Sequence, residues 1–306
     1  YVRLDDEEEF IDDSAPLYAS TYGEWSKKYG ITRLQPGKTP ERVVWADDNV
    51  ARLTKAEDAD IFAYMVQDFD DSPDYFVSGP DFTKTRQVTH TNPFQKEYAW
   101  GRSELIEYEN PQGRTLQGAL YYPADYEPGK QYPMLVYIYE IRSHLMHQYS
   151  APSERNYYNT TVFTSEGYFV LQPDIVFQAR DPGQSSVRTI EAAVQKVLET
   201  GMVDSERVGM VGHSWGGYQT AYAVTQTDIF SAAVAGAPLT NLVSMYGAIF
   251  WNSGAPESGH FEIGQERMEV PYWEDPTPYI RNSPVFNVKK LNTPLMVEVG
   301  DADGNV

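Results

Sequence analysis

The sequence has 306 residues, enough for a full hydrophobic core in one large domain or two smaller ones. Its 24 Lys and Arg stand against 44 Asp and Glu, and a formal charge of -20 repels phosphate backbones and argues against nucleic acid as a partner. Apolar residues make up 41%, ordinary for a soluble chain, and the absence of Cys excludes a disulfide, a thiolate nucleophile and a Cys-ligated metal.

No segment approaches the ~18 consecutive apolar residues of a membrane-spanning helix. Tyr1 stands in place of an initiator Met and Val306 follows closely on an apolar run, as expected of a piece cut from a longer protein. A periplasmic or secreted location is expected over a cytoplasmic one, and association into an oligomer stays open.

Residues 1–95 are polar and rich in turns. Asp60 to Val66 and Asp74 to Ser78 read as short strands, separated by the turn cluster Asp70-Asp71-Ser72-Pro73. The segment Gln87-Val88-Thr89-His90-Thr91-Asn92-Pro93 closes this region. Short strands with such turns predict antiparallel β structure.

The pattern changes near residue 96. Glu104 to Tyr108 and Leu116 to Tyr122 flank Asn110-Pro111-Gln112-Gly113 and read as a hairpin pair. Pro133 to Tyr139 and Tyr168 to Leu171 are apolar enough for buried strands. Thr189 to Thr200 carries Ile190, Ala193, Val194, Val197 and Leu198 at helical spacing. Arg207 to Val211 reads as a strand, Trp215 to Thr225 as a helix, and Ala232 to Ala235 and Pro294 to Val299 as further buried strands. Such alternation after an antiparallel hairpin predicts an α/β fold with a mostly parallel sheet.

Between the strand at Arg207 and the helix at Trp215 stands Gly212-His213-Ser214-Trp215-Gly216. This is G-x-S-x-G in the strand-to-helix setting of a nucleophile elbow, where Ser214 projects its Oγ above the sheet from a tight turn. The backbone N–H of Trp215 is then the first oxyanion donor. In this fold the acid follows a late buried strand, which points to the loop after Pro294 to Val299, with Asp301 and Asp303 as candidates. No metal-ligand spacing such as H-E-x-x-H is present, and a serine mechanism calls for no cofactor.

The run Gly212 to Tyr218, with its second glycine Gly217, resembles the G-x-S-x-G-G signature of the prolyl oligopeptidase family of serine peptidases. Tyr132 to Glu140 resembles the family's strand leading to its oxyanion tyrosine, and Pro173-Asp174-Ile175-Val176 and Ala237-Pro238 fall in family order. The resemblance implies an α/β-hydrolase domain over residues 96–306, incomplete at its C-terminus, preceded by a partial β-propeller over 1–95. Matching Gly300 and Val306 to the family's acid loop puts the acid at Asp303, with Asp301 second. It implies a second oxyanion donor in the hydroxyl of Tyr139, which could also be a plain strand tyrosine. Asn305 is either a turn former or, as in the dipeptidyl-peptidase branch, a residue that holds a substrate carbonyl. Tyr218, Tyr246, Phe250 and Trp251 are substrate-facing candidates on the same ground, with burial in the core as the alternative.

The five histidines are His90, His144, His147, His213 and His260, and none follows Asp303. The general base is therefore expected outside these residues. The expected activity is cleavage of short peptides through an acyl-enzyme on Ser214, with proline or a small residue before the scissile bond and the propeller limiting access. A carboxylesterase of the same fold and a non-catalytic binding module are the alternatives; the missing H-G-G-G loop of many esterases counts against the first.

Overall fold

A computed structural model describes residues 1–4, 10–12, 14–153 and 155–304. The chain divides into two compact units, Tyr1–Ser103 with His144–Pro152, and Glu104–Ser143 with Ser153–Val306. A short excursion out of the second unit, His144–Pro152, belongs to the first. The reason is local: within the first unit Tyr29 Oη donates to the His144 carbonyl at 2.8 Å, and His147 Nδ1 lies 2.9 Å from Asp68 Oδ1. Trp100 also stacks on Tyr149.

The first unit holds two antiparallel sheets. One has β1 (Leu17–Tyr22), β2 (Tyr29–Leu34) and β3 (Glu41–Ala46) in sequential order. The other has β4 (Asn49–Lys55), β5 (Phe62–Asp68), β6 (Asp71–Ser78) and the short β7 (Arg86–Gln87). Tyr18, Ile31, Val50, Phe62, Tyr64 and Phe82 bury a common core. The turn expected at Asp70 to Pro73 is tighter, at Phe69–Asp70, and Pro73 lies inside β6. Proline is tolerated there because the pairing slips between Val66↔Asp74 and Asp68↔Asp71, a bulge that relieves Pro73 of a ladder bond.

The second unit is built on a seven-stranded sheet. Its strands are β8 (Ser103–Glu109), β9 (Thr115–Tyr121), β10 (Tyr132–Ile138), β11 (Phe169–Pro173), β12 (Val203–His213), β13 (Ala232–Gly236) and β14 (Leu295–Glu298). Their spatial order is β14-β13-β12-β10-β11-β9-β8. The strands from β11 through β10, β12 and β13 to β14 are parallel, while β9 meets β11 antiparallel. The connecting helices are α1 (Thr160–Ser165), α2 (Pro182–Leu198), α3 (Trp215–Ala223), α4 (Leu242–Tyr246), α5 (Ser258–Ile263) and α6 (Pro276–Arg281). Val136, Ile138, Phe169, Leu171, Val208 and Met210 of the central strands are buried beneath α2 and α3. Among the described residues no helix is long and apolar enough to cross a membrane.

Helix α2 begins seven residues before the periodic apolar stretch that predicts it. Pro182 takes the first helical position, where no N–H is missed. Gly183 passes so close to the Tyr222 ring that a Cβ would lie 2.6 Å from it, and its N–H donates to Asn282 Oδ1 at 3.0 Å. Tertiary contacts, rather than the helix propensity of Gly and Ser, set this start.

Asp174, at the end of β11, ties down the segment that leaves β10. Its Oδ1 accepts the backbone N–H groups of Arg142 and Ser143, each at 2.8 Å, and its Oδ2 accepts the Ser143 hydroxyl. Ile175 N–H donates to the Glu140 carbonyl at 2.8 Å. Asp174 is 6% exposed, so truncation strands three donors away from bulk water. Asp174→Ala is expected to lower the unfolding free energy by on the order of 3 kcal/mol or more. Equilibrium denaturation in urea checks this; a loss below about 1 kcal/mol would show that water replaces the carboxylate at little cost.

Candidate active site

Ser214 sits between β12 and α3 with φ 56° and ψ -118°, a strained backbone for a residue with a Cβ. Three close approaches enforce it. A Cβ at Gly212 would lie 2.3 Å from the Gly216 carbonyl oxygen, one at Gly216 2.4 Å from that of Ile138, and one at Gly217 2.3 Å from that of Gly236. No real Cβ tolerates such distances, so glycine at all three positions lets α3 pack directly over the ends of β10 and β13.

The Ser214 N–H donates to the Gly236 carbonyl at 2.9 Å and is not available to a substrate. Trp215 is the first helical residue, so its N–H has no carbonyl partner within the helix. Its indole is fully buried, stacked on Tyr218 with centroids 4.5 Å apart. Trp215 therefore offers only its backbone to the site. The helix N-terminus adds a positive potential beneath Ser214.

Tyr139 follows β10 directly, and β10 is the neighbour of β12, with Ile138 opposite Gly212. The ring reaches toward the elbow: a Cβ built at Gly216 would be 3.6 Å from Tyr139 Cδ2. Its carbonyl accepts from Gln219 of α3, and its hydroxyl lies 3.4 Å from Gln265 Nε2. Tyr139 is 37% exposed.

On the other side of the elbow, the ends of β13 and β14 are joined by the Ala237 N–H to the Glu298 carbonyl at 2.7 Å. The loop that follows carries Asp301, which is exposed, and Asp303, which is half-buried and whose N–H donates to the Gly300 carbonyl at 3.3 Å. Gly304 meets Trp251: the Trp251 N–H donates to its carbonyl at 3.0 Å, and a Cβ there would be 2.7 Å from Trp251 Cβ. Asn305 lies outside the described residues.

The substrate-facing candidates separate. Trp251 is 72% exposed beside the loop that carries Asp301 and Asp303, and Phe250 is half-buried with its ring edge-on to His260. Tyr218 and Tyr246 are core residues instead. Tyr218 is fully buried and donates to the Asn282 carbonyl at 3.0 Å. Tyr246 packs against Phe261 and Tyr279 and donates to Glu262 Oε1 at 2.6 Å; burial first, then that carboxylate, pushes its hydroxyl up to about 12. Amphipathic tyrosines suit either place, and α3 and α4 turn these two inward.

No histidine ring is hydrogen-bonded to Ser214 among the described residues. His213 turns away from the elbow and lies edge-on to Tyr158, 3.5 Å from its hydroxyl. His260 pairs with Glu266 at 2.7 Å, and His147 belongs to the first unit with Asp47 and Asp68. Sequence reasoning passed over Gln265, Glu266 and Arg267, which lie in a stretch without motif or period. Arg267 Nη2 reaches both oxygens of Glu140 at 3.2 Å, beside Tyr139.

These elements define an α/β-hydrolase domain with a nucleophile elbow. Residues 155–306 match the Prolyl oligopeptidase family, and over these residues the chain belongs to that family. An uncharacterized peptidase, YuxL of Bacillus subtilis, is 26% identical over 246 residues, covering 76% of this chain and 35% of its own. Dipeptidyl peptidase 8 of Mus musculus is 32% identical over 154 residues, covering 45% of this chain and 17% of its own. The crystal structure of Porphyromonas gingivalis dipeptidyl peptidase 4 superposes with a TM-score of 0.74 at 17% identity, covering 97% of this chain and 42% of that one. The chain thus spans about a third or less of the length of these curated relatives.

Glu266 gives the site region a pH dependence. It is 1% exposed, and burial raises its carboxyl to about 7, with His260 opposing the shift. A folded-state value above the unfolded one means that the neutral acid is favoured by folding. That contribution is whole below about 4.5 and is lost as pH rises through about 7. Wild-type protein is therefore expected to lose thermal stability between pH 5 and pH 8 relative to Glu266→Gln. Melting midpoints of both proteins across that range check it, and parallel profiles would refute the assignment.

Proposed function

We propose that the protein is a serine peptidase that cleaves short peptides through an acyl-enzyme on Ser214. The observation that carries this reading is the strained Ser214 held between β12 and α3 by three glycine contacts, with Tyr139 leaning over the same turn. A serine alcohol attacks the peptide carbonyl, and negative charge develops on that oxygen. The Trp215 N–H and the Tyr139 hydroxyl are its proposed donors. Asp303 is the proposed acid, on the loop two strands away from the nucleophile. The proposed general base is a histidine other than the five in this sequence, since none bonds Ser214 or follows the acid. It would take the Ser214 proton on attack and return it to the leaving amine.

Membership of the prolyl oligopeptidase family and the peptidase names of the relatives support hydrolysis of peptides. The exposed Trp251 and the adjacent Phe250 support a flat or small residue, such as proline, before the scissile bond. A carboxylesterase remains the second reading, because elbow and sheet are common to both.

In the full-length protein, Ser214→Ala is expected to abolish labelling by fluorophosphonates and cleavage of chromogenic peptide amides, with the circular dichroism spectrum unchanged. Wild-type protein should hydrolyse proline-containing peptide amides with higher kcat/KM than short acyl esters. Turnover of esters with no cleavage in a peptide library would establish the esterase.

Tyr139→Phe removes a donor to charge that exists only in the transition state. It is expected to lower kcat on a peptide amide by ~10²–10³, with a much smaller change in KM. Unchanged kcat would place the second donor elsewhere.

A further inference from the structure

We propose that Gln265 is a positioning residue for Tyr139: its amide donates to the phenol oxygen and leaves the phenolic proton to be given to the substrate oxyanion. This rests on the serine-peptidase reading above.

Gln265 Nε2 lies 3.4 Å from Tyr139 Oη and 3.2 Å from Glu140 Oε1. A carboxylate only accepts, so Glu140 fixes the NH2 end of the amide on this side. Glu140 is itself held, because Arg267 Nη2 stands 3.2 Å from each of its oxygens. Arg267 lies over the Phe177 ring at 4.4 Å, and its carbonyl accepts the Arg180 N–H at 2.8 Å. The donor to the phenol is therefore anchored through a chain of charged and aromatic contacts.

Tyr139 is fixed at both ends. Gln219, on the helix that carries the elbow, holds its carbonyl, and Gln265 meets its hydroxyl. A phenol has one proton and two lone pairs. An N–H on the oxygen occupies a lone pair and turns the proton away from the Gln265 side. As the phenol donates to a developing oxyanion, its oxygen gains electron density and accepts more strongly from Gln265, so the two hydrogen bonds reinforce each other. A bond that is long in the resting site shortens in the transition state, which makes the contribution one to kcat rather than KM.

The test uses the full-length enzyme and a chromogenic peptide amide. Gln265→Met keeps the shape and removes the donor, and kcat is expected to fall roughly 3–10-fold, the worth of one neutral hydrogen bond, with KM nearly constant. Gln265→Glu is expected to fall further, because a carboxylate would accept the phenolic proton and repel Glu140. In the Tyr139→Phe background, Gln265→Met should cost nothing more. Melting midpoints within a few degrees of wild type for both single variants show that the effect is not unfolding. If Gln265→Met and Gln265→Glu keep wild-type kcat while Tyr139→Phe is slow, the inference fails and the functional reading stands. Equal losses in both backgrounds, or a rise in KM alone, also overturn it. If Ser214→Ala retains turnover, the functional reading fails and this inference goes with it.

Discussion

The site depends on backbone meeting backbone at van der Waals distance where β12 becomes α3. Gly216 lies against the Ile138 carbonyl, Gly217 against that of Gly236, and Gly212 against Gly216 itself. These contacts hold α3 against three strands at once and leave Ser214 no relaxed conformation. Strain of this kind costs about 1–3 kcal/mol and persists only where the surroundings over-determine it. The large core beneath, with Val136, Ile138, Val208, Met210 and Trp215 fully buried, supplies that rigidity. The same geometry hands out the backbone donors: Ser214 spends its N–H on Gly236, and Trp215 keeps its own.

A second frame stands above the sheet. The stretch from Ala248 to Arg267 touches the loop after β14 through Trp251 and Gly304, and Tyr139 through Gln265. It is rooted in the core by Phe261, which stacks on Tyr279, and by Glu266, which is buried against His260. In a chain of net charge -20 most carboxylates stay in water, where they cost little. Glu266 is kept inside because His260 partners it and because its neutral form is accessible near pH 7.

The first unit rests on different physics. Its sheets are short and antiparallel, its core is a cluster of rings around Phe62, and His144–Pro152 is drawn in by hydrogen bonds rather than by chain order. Asp74 anchors its closing segment by accepting from Gln87, from the Thr89 hydroxyl and from the Thr91 N–H. These bonds hold its carboxyl below its ordinary value in spite of the burial that opposes them.

Much of the second unit is legible in the sequence because its signals are local. Strand β10 and the core of α2 are written in apolar spacing, and the elbow in three glycines whose smallness has one steric meaning around a serine. The parallel sheet follows from the alternation of elements. Other features depend on residues far apart in the chain. The early start of α2 needs Tyr222 and Asn282, and the bulge that admits Pro73 needs the register of β5. Tyrosine carries no mark of which way it faces, so the burial of Tyr218 and Tyr246 and the exposure of Tyr139 came only with packing. Gln265 and Arg267 belong to no motif, and their meaning arises from an approach to Tyr139 and Glu140 across more than a hundred residues. By itself the sequence determined the strained turn at Ser214 and the sheet around it, since backbone sterics act between near neighbours. Tertiary structure alone decided what surrounds Tyr139, because hydrogen bonds between distant side chains leave no period or spacing to read.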